Sequence, residues 1–194
     1  MTHRRYRTTT AERARAFQSE SRSLMESVTF VQVPPISRAE ELAEQLRQNF
    51  TSDASGLVVA ESIVELNGWD LTYRRMHYEA SKSEINALLI PSETKRQFSL
   101  VVDSDCLQGD DADEVAAGLV GHEVGHVFFF NRALRGTRAP RPTMPLHYLP
   151  SEEEREKGAK IERFCDHFSL HLTGFDLEVY SEAQRALRKQ QRGW

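Results

Sequence analysis

The sequence predicts an α+β fold: several amphipathic helices and one small antiparallel sheet packed against two long helices. Three observations carry this. Apolar residues recur at helical spacing in Leu42, Leu46 and Phe50, and again in Leu57, Ala60, Ile63 and Val64. Between residues 69 and 102 the period changes to two. Two further stretches, from Asp110 and from Glu152, again read as helices, each opened by acids that favour the positive end of a helix dipole. The chain has 194 residues, 39% of them hydrophobic and 28% charged, enough for one ordinary core and against wholesale disorder.

The elements follow in order. Residues 1–30 form a polar, basic arm, with six arginines against Glu12 and Glu20 before Glu26. It has no apolar stretch of the kind a secretory signal needs. Pro34 and Pro35 punctuate the chain; Ser37 can then cap a helix over 38–50, with Glu40 as its capping-box partner. Asp53 can cap a second helix, which Asn67-Gly68 stops. Trp69, Leu71 and Tyr73 alternate with Asp70, Thr72 and Arg74 as a half-buried strand. Ile85–Ile90 and Phe98–Val102 read as a hairpin turning at 91–94. Residues 132–150 hold four Arg, four Pro and no acid, and read as a long loop. Gly174 closes the helix from Glu152, and residues 176–194 add an amphipathic segment and a basic tail. The domain proper is expected over 31–175.

Composition narrows the function. A net charge of −4 does not indicate a basic nucleic-acid binder overall, and only the N-terminal arm has the charge for that role. No stretch approaches the roughly 20 apolar residues that span a bilayer, so no membrane role is expected. Two cysteines, Cys106 and Cys165, cannot make a disulfide framework, and a cytoplasmic setting is expected.

The chemistry lies in His122-Glu123-Val124-Gly125-His126. Four residues of helix turn through about 400°, so both imidazoles point the same way and reach one cation. Glu123 sits beside them, placed to take a proton from a water that such a metal acidifies. The alternative is two histidines that merely satisfy hydrogen bonds. The apolar surroundings of Leu119, Val120, Val124, Val127 and Phe128 weigh against it, because polar groups there need a partner and an ion satisfies them together. Catalytic zinc takes three protein ligands. Glu162 is the candidate third: unlike the solvated acids Glu152, Glu153, Glu154 and Glu156, it stands among Ile161, Phe164, Cys165 and Phe168, where a buried acid needs a partner. Asp166, one turn on, can accept the other N–H of a ligand histidine. His167 and His171 form a rival i, i+4 pair, but they lie about 140° and 180° around the helix from Glu162. They are expected to be surface or core histidines, with a second metal site as the alternative.

HEVGHVFFF followed by IERFCDHFS resembles the ImmA/IrrE family of gluzincin-type metallopeptidases, which pair an HExxH helix with a downstream E-x-x-A-[ND]-x-F-A helix. The match is Glu162, Cys165 in the Ala place, Asp166, Phe168, and Ser169 for the last Ala; it covers about 38–173. The resemblance implies a zincin-like fold, a Zn²⁺ held by His122, His126 and Glu162 (Mn²⁺ or Fe²⁺ would suit the same ligands), and Glu123 as general base. It also implies a regulatory endopeptidase whose protein substrate is a helix-turn-helix, DNA-binding repressor encoded nearby. A non-catalytic metal-binding module of the same fold is the alternative. Two features depart from the family: the 35 residues between His126 and Glu162 are long, and the Pro/Arg-rich insert has no counterpart.

Several groups are open. Tyr148 and His147 are candidate oxyanion donors, with loop packing as the plainer reading. The sheet edge could take a peptide as an added strand. Arg132, Arg135, Arg138 and Arg141 could meet an acidic substrate segment. Cys165 reads as a small core residue, with metal ligand or redox sensor as the alternative. Gly118, Gly121 and Gly125 each cost about 1 kcal/mol relative to Ala in a helix, so the sheet or the second motif helix is expected to pack close to that backbone.

Overall fold

The computed structural model describes residues 19, 22–76, 86–91, 97–130 and 151–182. They form a mixed α+β structure. The main elements are α1 (Ser37–Arg47), α2 (Gly56–Leu66), β1 (Asp70–Arg74), β2 (Ala87–Pro91), β3 (Phe98–Asp103), a 3₁₀ turn (Ser104–Cys106), α3 (Ala112–Val127) and α4 (Glu152–Thr173). Residues 22–27 and 177–182 are also helical. Among the described residues no helix is long and apolar enough to cross a membrane.

The helix ends show which local signals act. Ser151 caps α4 in a full capping box with Glu154, and Gly174, at φ +81°, ends it. Ser55, not Asp53, caps α2: its side chain accepts from the Val58 N–H. The expected capping box at Ser37 does not form. Ile36 already has helical dihedrals, so Ser37 is the first residue inside α1 and no side chain caps it. Glu40 is thereby released to face His171 across the α1–α4 contact, at 3.5 Å.

The sheet corrects one expectation. It is not wholly antiparallel: the order is β1-β3-β2, with β3 antiparallel to β2 and parallel to β1. The most buried strand takes the middle. Leu100, Val101 and Val102 of β3 are buried, whereas β1 and β2 are mostly half-buried or exposed. The hairpin partner of β2 therefore inserts beside β1. Asp103 N–H donates to the Asn86 carbonyl, so with a period of two Leu88 and Ile90 bond toward β3 while Ala87 and Leu89 turn their N–H and C=O groups outward. Pro91, which has no N–H to give, falls on the outward register.

α3 is the centre. Eleven of its residues, on all sides, are buried, as expected of a helix apolar all round. The glycines explain how α4 comes so close. A Cβ on Gly121 would stand 2.7 Å from Ser169 Oγ, and one on Gly125 3.1 Å from Cys165 Cα. At Gly118 the neighbours are Phe175 and Leu177, both at 2.8 Å. The close partner is thus α4 and the segment after it, not the sheet. Ser169 Oγ donates to the Gly118 carbonyl at 2.7 Å across the same seam. Beyond it, Phe164 and Phe168 of α4 meet Phe128 and Phe129 edge-on, and Phe30 closes the cluster. Each such aromatic pair adds about 0.5–1.5 kcal/mol beyond burial. Together they fix the C-terminal end of α3 against the middle of α4.

Candidate metal centre

That seam brings the two motifs together. Helical spacing sets His122 and His126 one turn apart on α3, with Nε2 atoms 3.1 Å apart. From α4, Glu162 Oε2 lies 3.2 Å from His122 Nε2, and Oε1 lies 3.6 Å from His126 Nε2. Tetrahedral zinc with bonds of about 2.0–2.1 Å requires donor atoms about 3.3 Å apart. The three donors bracket that spacing, so the residues fit a divalent ion. Cys165 Sγ belongs to a looser group, within 4.8 Å of ring nitrogens of both histidines. Glu162 is the tighter third donor.

Each residue is held by a separate contact. Asp166 Oδ1 lies 2.8 Å from His122 Nδ1, which fixes that nitrogen as N–H and makes Nε2, facing Glu162, the ligating nitrogen. Glu123 is 8% exposed, and the Leu89 N–H on the outward register of β2 hydrogen-bonds its ionised form. Glu162 differs from expectation. Its side chain is 59% exposed, not enclosed, because it stands at the mouth of a cleft of about 700 Å³. Residues 86–89, at and before the start of the edge strand, line it, as does the short helical segment carrying Leu177, Tyr180 and Glu182.

The electrostatics follow from this crowding. Burial opposes charge on His122, but hydrogen bonds with Asp166 and Glu162 and the nearby carboxylates outweigh it and raise its pKa to about 10. The same contacts with His122 and His126 hold Glu162 well below the usual carboxylate range, against its partial burial. Burial pushes Glu123 up, only partly offset by the two histidines. The Cys165 thiol is pushed far up by burial and by the Glu162, Glu123 and Asp166 carboxylates, so with no ion bound it stays protonated. A metal entering this site must displace a proton from His122.

Of the residues singled out in the sequence, His122, Glu123, His126, Glu162 and Asp166 come together at one end of the α3–α4 seam. Tyr148 and His147, the four loop arginines, most of the N-terminal arm and the basic tail lie outside the described residues. Cys106 is half-buried and donates its S–H to the Asp103 carbonyl. The Leu89 N–H and the cleft lining at Tyr180 were not foreseen. A backbone donor leaves no residue signature, and which register of a strand faces outward cannot be read from a hairpin's sequence. No protein-family model matches the chain, and neither a curated protein nor a solved structure is significantly similar to it.

Proposed function

We propose that the chain is a zinc-dependent endopeptidase of the ImmA/IrrE type, with a zincin-like fold, that cuts a regulatory partner protein. The observation that carries this reading is the meeting of His122, His126 and Glu162 donor atoms at 3.1–3.6 Å with a buried carboxylate, Glu123, alongside. A site built only to hold an ion has no use for a further acid, neither ligand nor support to one, kept buried beside it.

His122, His126 and Glu162 would hold the ion, which when bound supplies Lewis acidity toward a peptide carbonyl and an acidified water. Glu123 then acts as the base. Burial raises its proton affinity, which suits a group that must take a proton from water and deliver it to the leaving amine. Leu89 N–H orients its carboxylate. Asp166 keeps the His122 ring in the ligating tautomer and raises its basicity. The outward N–H and C=O of Ala87, and the outward C=O of Leu89, offer a peptide a strand to pair with beside the centre.

The substrate expected from the resemblance is a helix-turn-helix repressor encoded nearby. The test is co-expression with that repressor, comparing wild type with Glu123→Gln. Cleavage by wild type alone supports the proposal. Equal cleavage by both removes Glu123 as the base.

One observation favours the non-catalytic alternative: Cys165 Sγ sits near both histidines. A thiolate completing the ligand set would leave no open position. Cobalt substitution separates the two readings, because thiolate ligation adds an intense near-ultraviolet charge-transfer band that Cys165→Ala would abolish. The peptidase reading predicts no such band.

A further inference from the structure

We propose that Glu40, His167 and His171 form a second divalent-metal site, of the zinc-binding class, which staples α1 to α4 on the side away from the HExxH centre. This does not rest on the peptidase reading.

His167 and His171 are four residues apart on α4 and share a face, about 140° and 180° around the helix from Glu162. α1 packs on that face, burying Ala39, Leu42, Ala43 and Leu46. Arg47 also reaches across, donating to the Leu172 carbonyl at 3.0 Å. Because α1 starts a residue earlier than a Ser37 cap would give, Glu40 is free of capping duty and stands over the histidine pair. One donor atom from each of Glu40, His167 and His171 lies within 4.8 Å of the others. The Glu40 Oε1 to His171 Nε2 distance is 3.5 Å, already close to what a shared ion needs.

Two imidazoles and a carboxylate are the donor set of the first centre, and the same chemistry suits zinc. His167 lacks a complete set of partners. Its Nδ1 is buried and has no hydrogen-bond partner among the described residues. A histidine packed only for structure ordinarily has its buried nitrogens satisfied. Access is open from outside. The His171 side chain is 34% exposed and that of Glu40 41%, so both can turn in on an ion. A bound ion would fix the rotation of α4 against α1, and with it the helix that carries Glu162 and Asp166 on its other side.

The experiment uses the full chain, stripped of metal, equilibrated with Zn²⁺ and dialysed, with bound zinc counted by elemental analysis. Wild type is expected to hold two equivalents. His167→Asn with His171→Asn should hold one, His122→Asn with His126→Asn should also hold one, and all four changes together should hold none. Glu40→Gln, a single change at a partly exposed position, guards against misfolding. It should keep the wild-type circular dichroism and weaken one of the two zinc affinities at least tenfold. Zinc should also raise the melting temperature of the His122/His126 variant and leave the fourfold variant unchanged. Equal zinc on wild type and on the His167/His171 variant, or none on the His122/His126 variant, overturns the proposal. So does an unchanged affinity pair in Glu40→Gln; the trio would then be an ordinary histidine–carboxylate contact. Loss of peptidase activity does not enter these readouts, so failure here and failure of the peptidase reading are distinguishable.

Discussion

Replacing Asp166 by Asn removes one charge and little else. The Asn carbonyl can still accept from His122 Nδ1–H across the present 2.8 Å, so the ring keeps its tautomer and only its basicity changes. In the metal-free wild type the His122 pKa stands at about 10, where the hydrogen bonds with Asp166 and Glu162 overcome burial. An ion must displace that proton, so zinc affinity should climb about tenfold per pH unit, or about 100-fold from pH 6 to pH 8. Without the Asp166 carboxylate, Glu162 and Glu123 still act against burial, but the His122 pKa falls below about 10, and the same interval then yields a smaller rise, about fourfold where the ring reaches the ordinary imidazole value of about 6.5. At pH 8, loss of the supporting carboxylate should weaken zinc binding about 10–100-fold. At pH 6 the gap should narrow, because the variant has less proton to shed. Competition with a calibrated chelator at several pH values measures this directly. A gap that stays constant from pH 6 to pH 8 would show that Asp166 does not act through the His122 proton. A wild-type affinity flat with pH would refute the displaced proton altogether.

Two further outcomes follow from the same structure. In the metal-free chain His122 has a folded pKa above its unfolded value, so the stability it contributes is fully present below about pH 6.5 and is lost as pH rises through about 10; urea melts across that range should show the decline, and it should disappear in His122→Asn. Gly121→Ala drives a methyl to 2.7 Å from Ser169 Oγ and 3.0 Å from Thr173 Cγ2. Overpacking of about 1–3 kcal/mol and a lost hydrogen bond of about 1 kcal/mol outweigh the gain in helix propensity of about 1 kcal/mol. A net loss of about 2 kcal/mol, or roughly 4–8 °C in melting temperature, is expected. Adding Ser169→Ala should restore part of it, and a Gly121→Ala protein as stable as wild type would contradict the close seam.

The helices and the ligand set were legible because their signals are local. Ser151, Glu154 and Gly174 bound α4 as their residue types require, and the i, i+4 histidines needed only helical spacing to converge. Glu162 was found because it stands one turn before Asp166 in a helix with an apolar stripe, although its exposure was not foreseen; that depends on where the cleft opens. The three glycines on α3 announced a close neighbour, the sheet or the second motif helix, without deciding between them; it is the helix at Gly121 and Gly125. Strand order was beyond reach, since period-two patterning identifies strands and not the one that goes between the others. The release of Glu40 from a capping role was equally hidden, because it turns on the dihedrals of Ile36.

Anomalous diffraction at the zinc absorption edge, on crystals of the zinc-loaded chain, probes the central claim most directly. The account predicts a peak about 2.0–2.2 Å from His122 Nε2, His126 Nε2 and a Glu162 oxygen, with Glu123 beside it and not bonded to it. A map empty between those three side chains, or a peak ligated by Glu123 instead of Glu162, would contradict it.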